Sequence, residues 1–181
     1  MRIIRGKYRG KKIQVPSNFI ARPTTDFAKE AIFNIIENNF EIEEIKVLDL
    51  FTGTGSIGFE FLSRGAKSVT SVEIEKKYFA FIKRIGLELF PNNYYPINAD
   101  AFKFIKTRSL EYDIIFADPP FDSGEIEAIP DLIMKSGKIK QNTVLILEHS
   151  EQQNFSETQY FLKTRKYGKV NFSFFCQENF M

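Results

Sequence analysis

Short apolar runs alternate along this chain with longer stretches of helical periodicity. Residues 45–50, 68–72, 95–98, 113–117 and 143–147 read as strands. After the N-cap candidates Thr24, Thr25 and Asp26, the residues Phe27, Ala31, Ile32, Ile35 and Ile36 recur at helical spacing and predict a helix over 26–38. Further helices are expected up to about Arg64, along Tyr78, Phe79, Ile82, Ile85 and Leu89, around Phe102 and Ile105, and near 125–136. Strand–helix alternation of this kind predicts an α/β fold, a parallel sheet with helices on both faces. The two ends differ. Residues 2–5 and 12–15 flank a glycine-bounded loop and read as an N-terminal hairpin. Residues 160–166 and 169–176 flank Tyr167-Gly168 and predict a terminal hairpin, hence at least one antiparallel strand.

Length adds that 181 residues make one domain, with no need of disulfides to fold. Cys176 stands alone, which excludes an intrachain disulfide and a cysteine zinc site; it is expected to be a buried hydrophobe, and no metal is expected. His149 is the single histidine and has no G-x-S-x-G elbow beside it, which argues against a serine hydrolase. It is expected to be an ordinary histidine at a strand edge. No apolar run approaches the ~20 residues of a membrane span, and no apolar signal core follows the basic N-terminus. Both observations point to a cytoplasmic protein. The net charge of +2 hides an asymmetry: Arg2, Arg5, Lys7, Arg9, Lys11, Lys12 and Arg22 give residues 1–22 a charge of +7, and the remainder carries −5. A basic arm on a mildly acidic body is the electrostatic shape of a nucleic-acid binder.

Two motifs carry chemistry. Asp49-Leu50-Phe51-Thr52-Gly53-Thr54-Gly55-Ser56-Ile57-Gly58 contains G-x-G-x-x-G directly after a strand, and Glu73 follows twenty residues beyond Gly53 at the end of the next strand. Glycines admit a ligand close to the backbone, and an acid there can take both hydroxyls of a ribose. Any nucleoside cofactor wants these features, so the motif alone leaves NAD and S-adenosylmethionine open. Asp49 tips the balance, because a carboxylate repels a pyrophosphate but suits a cofactor with an amino group and a sulfonium. The second motif is Asp118-Pro119-Pro120-Phe121, after the strand 113–117. Two prolines stiffen the exit and remove amide donors, leaving carbonyls free to accept. With the Asp118 carboxylate and the Phe121 face they form a clamp for a planar group bearing an NH₂.

D-x-F-x-G-x-G resembles the first motif of class I S-adenosylmethionine-dependent methyltransferases, and D-P-P-F resembles the [N/D]-P-P-[Y/F/W] motif of enzymes that methylate base exocyclic amines or glutamine amides. Together with M-R-I-I-R-G-K-Y-R-G-K-K-I at the start and Arg22-Pro23-Thr24-Thr25-Asp26 before the first helix, the chain resembles the bacterial small-subunit ribosomal RNA guanine-N2 methyltransferase family over residues 1–150. The resemblance implies a Rossmann-like seven-stranded sheet with a reversed last strand in 23–181, preceded by the arm 1–22. It implies S-adenosylmethionine as cofactor and a 16S ribosomal RNA guanine as substrate, presented on a ribosomal particle to a monomeric enzyme. Asp118, Pro119, Pro120 and Phe121 would be catalytic. Thr24, Asp49, Phe51, Gly53, Gly55, Glu73, Ile74, Asp100 and Ala101 would hold the cofactor, and the seven basic residues of the arm would meet RNA. Asp100 also reads as a helix N-cap. The rivals are an NAD-dependent oxidoreductase, a protein-glutamine methyltransferase and a ribosome-binding module without turnover. The segment 155–180, rich in Phe, Lys and Asn, receives no role.

Overall fold

In the computed structural model, which describes residues 1–19, 25–120 and 124–178, β1 (Lys46–Leu50), β2 (Ser68–Glu73), β3 (Tyr94–Asn98), β4 (Ile114–Ala117), β5 (Val144–His149), β6 (Phe161–Tyr167) and β7 (Val170–Phe175) form one sheet in the order β3-β2-β1-β4-β5-β7-β6. The pairs from β3 through β5 are parallel, and β7 is antiparallel to both neighbours. This is the seven-stranded, last-strand-reversed sheet that the resemblance implied. The helices are α1 (Asp26–Glu37), α2 (Ser56–Ser63), α3 (Lys76–Leu89), α4 (Ala101–Thr107) and α5 (Ile129–Met134). Strand alternation sends Val47, Val69, Ile114 and Ile146 to the face shared with α1, α2 and α3, and Leu48, Val72, Ile115 and Leu147 to the face of α4 and α5.

Three sequence expectations are corrected. Phe81, not Phe79, is in the core from α3. The helix near 125–136 is a 3-10 turn over Ile126–Ala128 followed by α5, which begins around Pro130; a proline is tolerated there because the first turn needs no amide donor. His149 is not at an edge: β5 lies between β4 and β7, and the residue is buried. Its Nδ1 donates to the Ser150 carbonyl at 2.8 Å, and its Nε2 is hydrogen-bonded to the Ser173 hydroxyl at 2.7 Å. Burial holds the imidazole's pKa below the ordinary value, against the bond to the Ser150 carbonyl. Cys176 is buried, as expected.

The N-terminal hairpin carries the bridge between Arg2 and Lys12 and backbone bonds of its own, from Ile3 to the Lys11 carbonyl, Gly10 to the Ile3 carbonyl and Ile13 to the Met1 carbonyl, and α2 braces it from beneath. Every residue of α2 is buried because the sheet covers one side and the hairpin the other. Ile3 and Ile13 enter the main core. The carboxylate of Glu60, with no exposed surface, accepts from the Ile4 amide at 2.8 Å, the Arg5 amide at 3.0 Å and Arg64 Nε at 2.8 Å, with Lys29 Nζ at 3.7 Å. Lys29 also donates to the Arg2 carbonyl at 2.7 Å, and burial lowers the pKa of its ammonium while Glu60 resists that shift. Gly6, at φ +80°, lies so close to α2 that a Cβ there would be 1.8 Å from the Ser63 carbonyl oxygen.

Candidate active site

The carboxyl ends of β1, β2, β3 and β4 gather the predicted residues at one rim of the sheet. Ligands of open α/β sheets bind outside these ends. β1 hands over to the glycine turn through Phe51, held at φ +59°, and Gly53 and Gly55 follow at +56° and +79°. The Thr52 amide donates to the Val72 carbonyl at 3.1 Å, which ties the turn to β2. Among the described residues a Cβ on Gly53 would find no atom nearer than 3.9 Å, which leaves the space above this residue open to them.

Glu73 closes the other side of that space. Its Oε2 accepts from the Gly53 amide at 2.7 Å and its Oε1 from the Glu75 amide at 2.8 Å. One lone pair on each oxygen remains for a further donor, an arrangement suited to vicinal hydroxyls. Burial raises the carboxyl's pKa, and these amide donors oppose the shift. Asn98 pins the same turn, donating from Nδ2 to the Glu73 carbonyl at 2.7 Å and the Ile74 carbonyl at 3.0 Å. Sequence reading missed this residue; its place at the end of β3 was the available signal. Ile74 presents an exposed apolar side chain. Phe51 meets Phe102 edge to face, with centroids 5.5 Å apart, so Phe102 belongs to the site's wall rather than only to helix packing. Asp100 caps α4, its Oδ1 accepting from the Lys103 amide at 2.9 Å, and Ala101 is buried beneath it. The cap uses one oxygen of Asp100.

Asp49 is tucked under the first turn of α2. It is 2% exposed, its Oδ2 has no hydrogen-bond partner among the described residues, and a Cβ on Gly58 would be 3.0 Å from that oxygen. Burial pushes its pKa up to about 7, against nearby donors on Gly58 and Thr52. Asp118 leaves β4 next to this carboxylate. The register pairs Ala117 with Leu147, which brings Asp118 abreast of Glu148 on β5. Burial, then the charges of Glu148 and Asp49, raise the Asp118 pKa well above the usual carboxylate range. Pro119 is buried and Pro120 exposed. Phe121, Thr24 and Arg22 lie outside the described residues.

The arm is arranged less simply than its charge suggested. Arg2 pairs with Asp26 at 2.9 Å and Arg5 with Glu37 at 2.8 Å, while Lys7, Arg9, Lys11 and Lys12 are exposed. The Lys7 amide donates to the Ser63 carbonyl at 2.7 Å and the Tyr8 hydroxyl to the Leu89 carbonyl at 2.9 Å. The hairpin tip therefore rests at the C-termini of α2 and α3, the end of the sheet away from the glycine turn. Among the described residues no cluster of three or more metal-ligating side chains occurs, and no helix is long and apolar enough to cross a membrane.

A family model described as "Conserved hypothetical protein 95" matches residues 1–176. The ribosomal RNA small subunit methyltransferase D of Buchnera aphidicola subsp. Baizongia pistaciae is 33% identical over 99% of this chain and 93% of its own. The chain belongs to the ribosomal RNA small subunit methyltransferase D family. The family's Escherichia coli K12 member is 32% identical over 85% of this chain and 76% of its own. Among solved structures, the Escherichia coli protein yhhF superposes with a TM-score of 0.84 at 28% identity, covering 98% of each chain.

Proposed function

We propose that this chain transfers a methyl group from S-adenosylmethionine to the exocyclic N2 amine of a guanine in small-subunit ribosomal RNA, on an assembled particle. The observation that carries this reading is the exit of Asp118-Pro119-Pro120 from β4 beside the open glycine turn that Glu73 closes. Residues 23–181 act as the transfer domain and 1–22 as the arm that meets RNA.

The site fits that cofactor. Open space over Gly53 lies against the two partly satisfied oxygens of Glu73, which suits a ribose diol. Ile74, Phe51 and Phe102 offer apolar walls for a purine, and Asp100 has an oxygen left over from its capping bond. The unpartnered carboxylate oxygen of Asp49 favours positive charge nearby. Bound there, S-adenosylmethionine supplies a methyl group activated by its sulfonium. The chain's own residues handle the amine. A guanine N2 is a poor nucleophile because its lone pair is delocalised into the ring. N–H donation to Asp118 and to the Pro119 carbonyl favours a pyramidal nitrogen with its lone pair localised. The nitrogen gains positive charge as it bonds carbon, and the Asp118 carboxylate stabilises that charge. The methylated nitrogen then sheds its proton readily, so no strong base is required beforehand. Orientation of the two partners supplies much of the remaining acceleration.

Labelled methyl transfer to small-subunit particles, to free 16S RNA and to glutamine peptides tests the reading, with digestion to identify the product nucleoside. N2-methylguanosine from particles is expected. Label on peptide only, or on another nucleoside, overturns it. Glu73→Ala is expected to weaken S-adenosylmethionine binding about 10- to 100-fold, the loss of charge-assisted bonds to two hydroxyls. Calorimetry checks this, and an unchanged affinity removes Glu73 from the site.

Activity has a predictable pH dependence. Ionised Asp118 is the acceptor, so turnover rises as pH passes upward through its pKa. That pKa is raised by burial, by Glu148 from β5 and by Asp49 from β1. The acidic limb is therefore expected above the normal carboxylate range. Glu148→Gln removes one of the two negative charges and is expected to move the limb to lower pH. A limb that stays in place under single-turnover conditions would separate Asp118 from the rate.

A further inference from the structure

The +7 of the arm drew attention away from a second basic segment. Residues 161–175 contain Lys163, Arg165, Lys166 and Lys169 and no carboxylate. β6 is the outer strand of the sheet, and its turn into β7 brings Arg165 and Lys169 to the surface. Lys166 is ion-paired with Glu151 at 2.6 Å, and Lys163 lies over the Phe174 ring at 5.5 Å, so among the described residues Arg165 and Lys169 are the two of these cations with neither an ion pair nor a ring contact. Beside them stands Phe27, in the first turn of α1, 70% exposed. Its ring meets Tyr167 edge to face at 6.2 Å. A large aromatic side chain left in water next to two cations is a poor choice for solubility and a good one for stacking.

The position of this pair matters as much as its chemistry. Ala117 pairs with Leu147, His149 with Asn171, and Val170 with Tyr167. The turn therefore sits at the same end of the sheet as Asp118, three strands away. At ~4.8 Å per strand that is about 14 Å, a distance that a nucleotide flanking the target can span.

We propose that Phe27, Tyr167, Arg165 and Lys169 form a second RNA contact, in which the two rings receive an unpaired base next to the methylated guanine and the two cations neutralise its phosphates. Rings and cations together are how single-stranded RNA is held without sequence readout. The proposal rests on the RNA methyltransferase reading and adds to it the surface that orients the strand. It also assigns a role to part of the segment rich in Phe and Lys.

Two variants test it with the full chain on small-subunit particles and on a free 16S RNA fragment. Phe27→Ala is expected to raise KM for RNA about 10-fold, the scale of losing one stacked base. Arg165→Glu with Lys169→Glu is expected to lower the slope of log K against log salt by about 1.5, for two phosphate contacts. Neither should change S-adenosylmethionine affinity or the melting temperature, because these side chains are exposed. An unchanged KM and an unchanged salt slope together overturn the surface. A loss of binding seen with particles and absent from binding to the free fragment, a readout that needs no turnover, assigns the surface to a ribosomal protein instead, which also overturns the proposal. If the wild-type protein methylates neither substrate, the methyltransferase reading has failed, and that result is distinct from a failure of the surface.

Discussion

Asp118→Ala is expected to lose about 10²–10³ in turnover while S-adenosylmethionine affinity stays the same. The number is the scale for removing one preorganised electrostatic partner from a transition state. The direction follows from what Asp118 touches in the proposed reaction. It accepts from the amine of the target and stabilises charge that appears only as the new N–C bond forms. Interactions made mainly in the transition state lower kcat with little change in ground-state binding. Asp118→Asn sharpens the test. The amide oxygen still accepts from an NH₂, so part of the positioning survives, whereas the negative charge does not. Asn is therefore expected between Ala and wild type in single-turnover methyl transfer. Ala and Asn variants as active as wild type would reduce D-P-P to a stiff turn.

Glu60→Gln is expected to destabilise the fold by about 3–5 kcal/mol, the range for breaking a buried charge cluster by removing one partner. The residue is fully buried and serves two backbone amides and two cations at once. Its amide form keeps the volume, leaves the positive charges of Lys29 and Arg64 less compensated, and places an NH₂ where at least one N–H already points. Denaturant unfolding measures the loss. Amide hydrogen exchange should find the protection of Ile4 and Arg5 reduced more than that of β4 or β5, because Glu60 is what their amides bond to. Stability unchanged within about 0.5 kcal/mol, the scale of surface-substitution effects, would show that Glu60 is not what holds the hairpin.

The central strands β1, β2, β4 and β5 were legible because they are short apolar runs, and the structure moves the strand ends by only a residue or two. The reversed β7 was legible because Tyr167-Gly168 is a turn between two extended runs. Glycine turn, Glu73 and Asp118 reached one rim by register alone. What was not legible depended on tertiary context. The bare charge of Arg2 and Arg5 gave no sign of their pairing with Asp26 and Glu37, far along the chain. Glu60 reads as a solvated helix position until a hairpin 55 residues earlier is laid over it. The choice between Phe79 and Phe81 turns on the rotation of α3, which adjacent aromatic residues on a helix leave undetermined. The second basic segment escaped notice because its four cations were averaged into an acidic remainder.

The order of strands in space differs from their order in time. β7 is made last, yet it is inserted between β5 and β6. On an emerging chain β6 has no strand to pair with, and β5 is an open edge of Val144–His149, until residues 170–175 arrive. The carboxyl ends of β1, β2 and β4 pair without β7, but the core beneath them takes Phe175 and the core on the other face takes Phe172 and Phe174. A chain stopped short of residue 170 therefore lacks three fully buried phenylalanines and leaves β5 an open edge, and it is expected to stay unfolded until those residues are made.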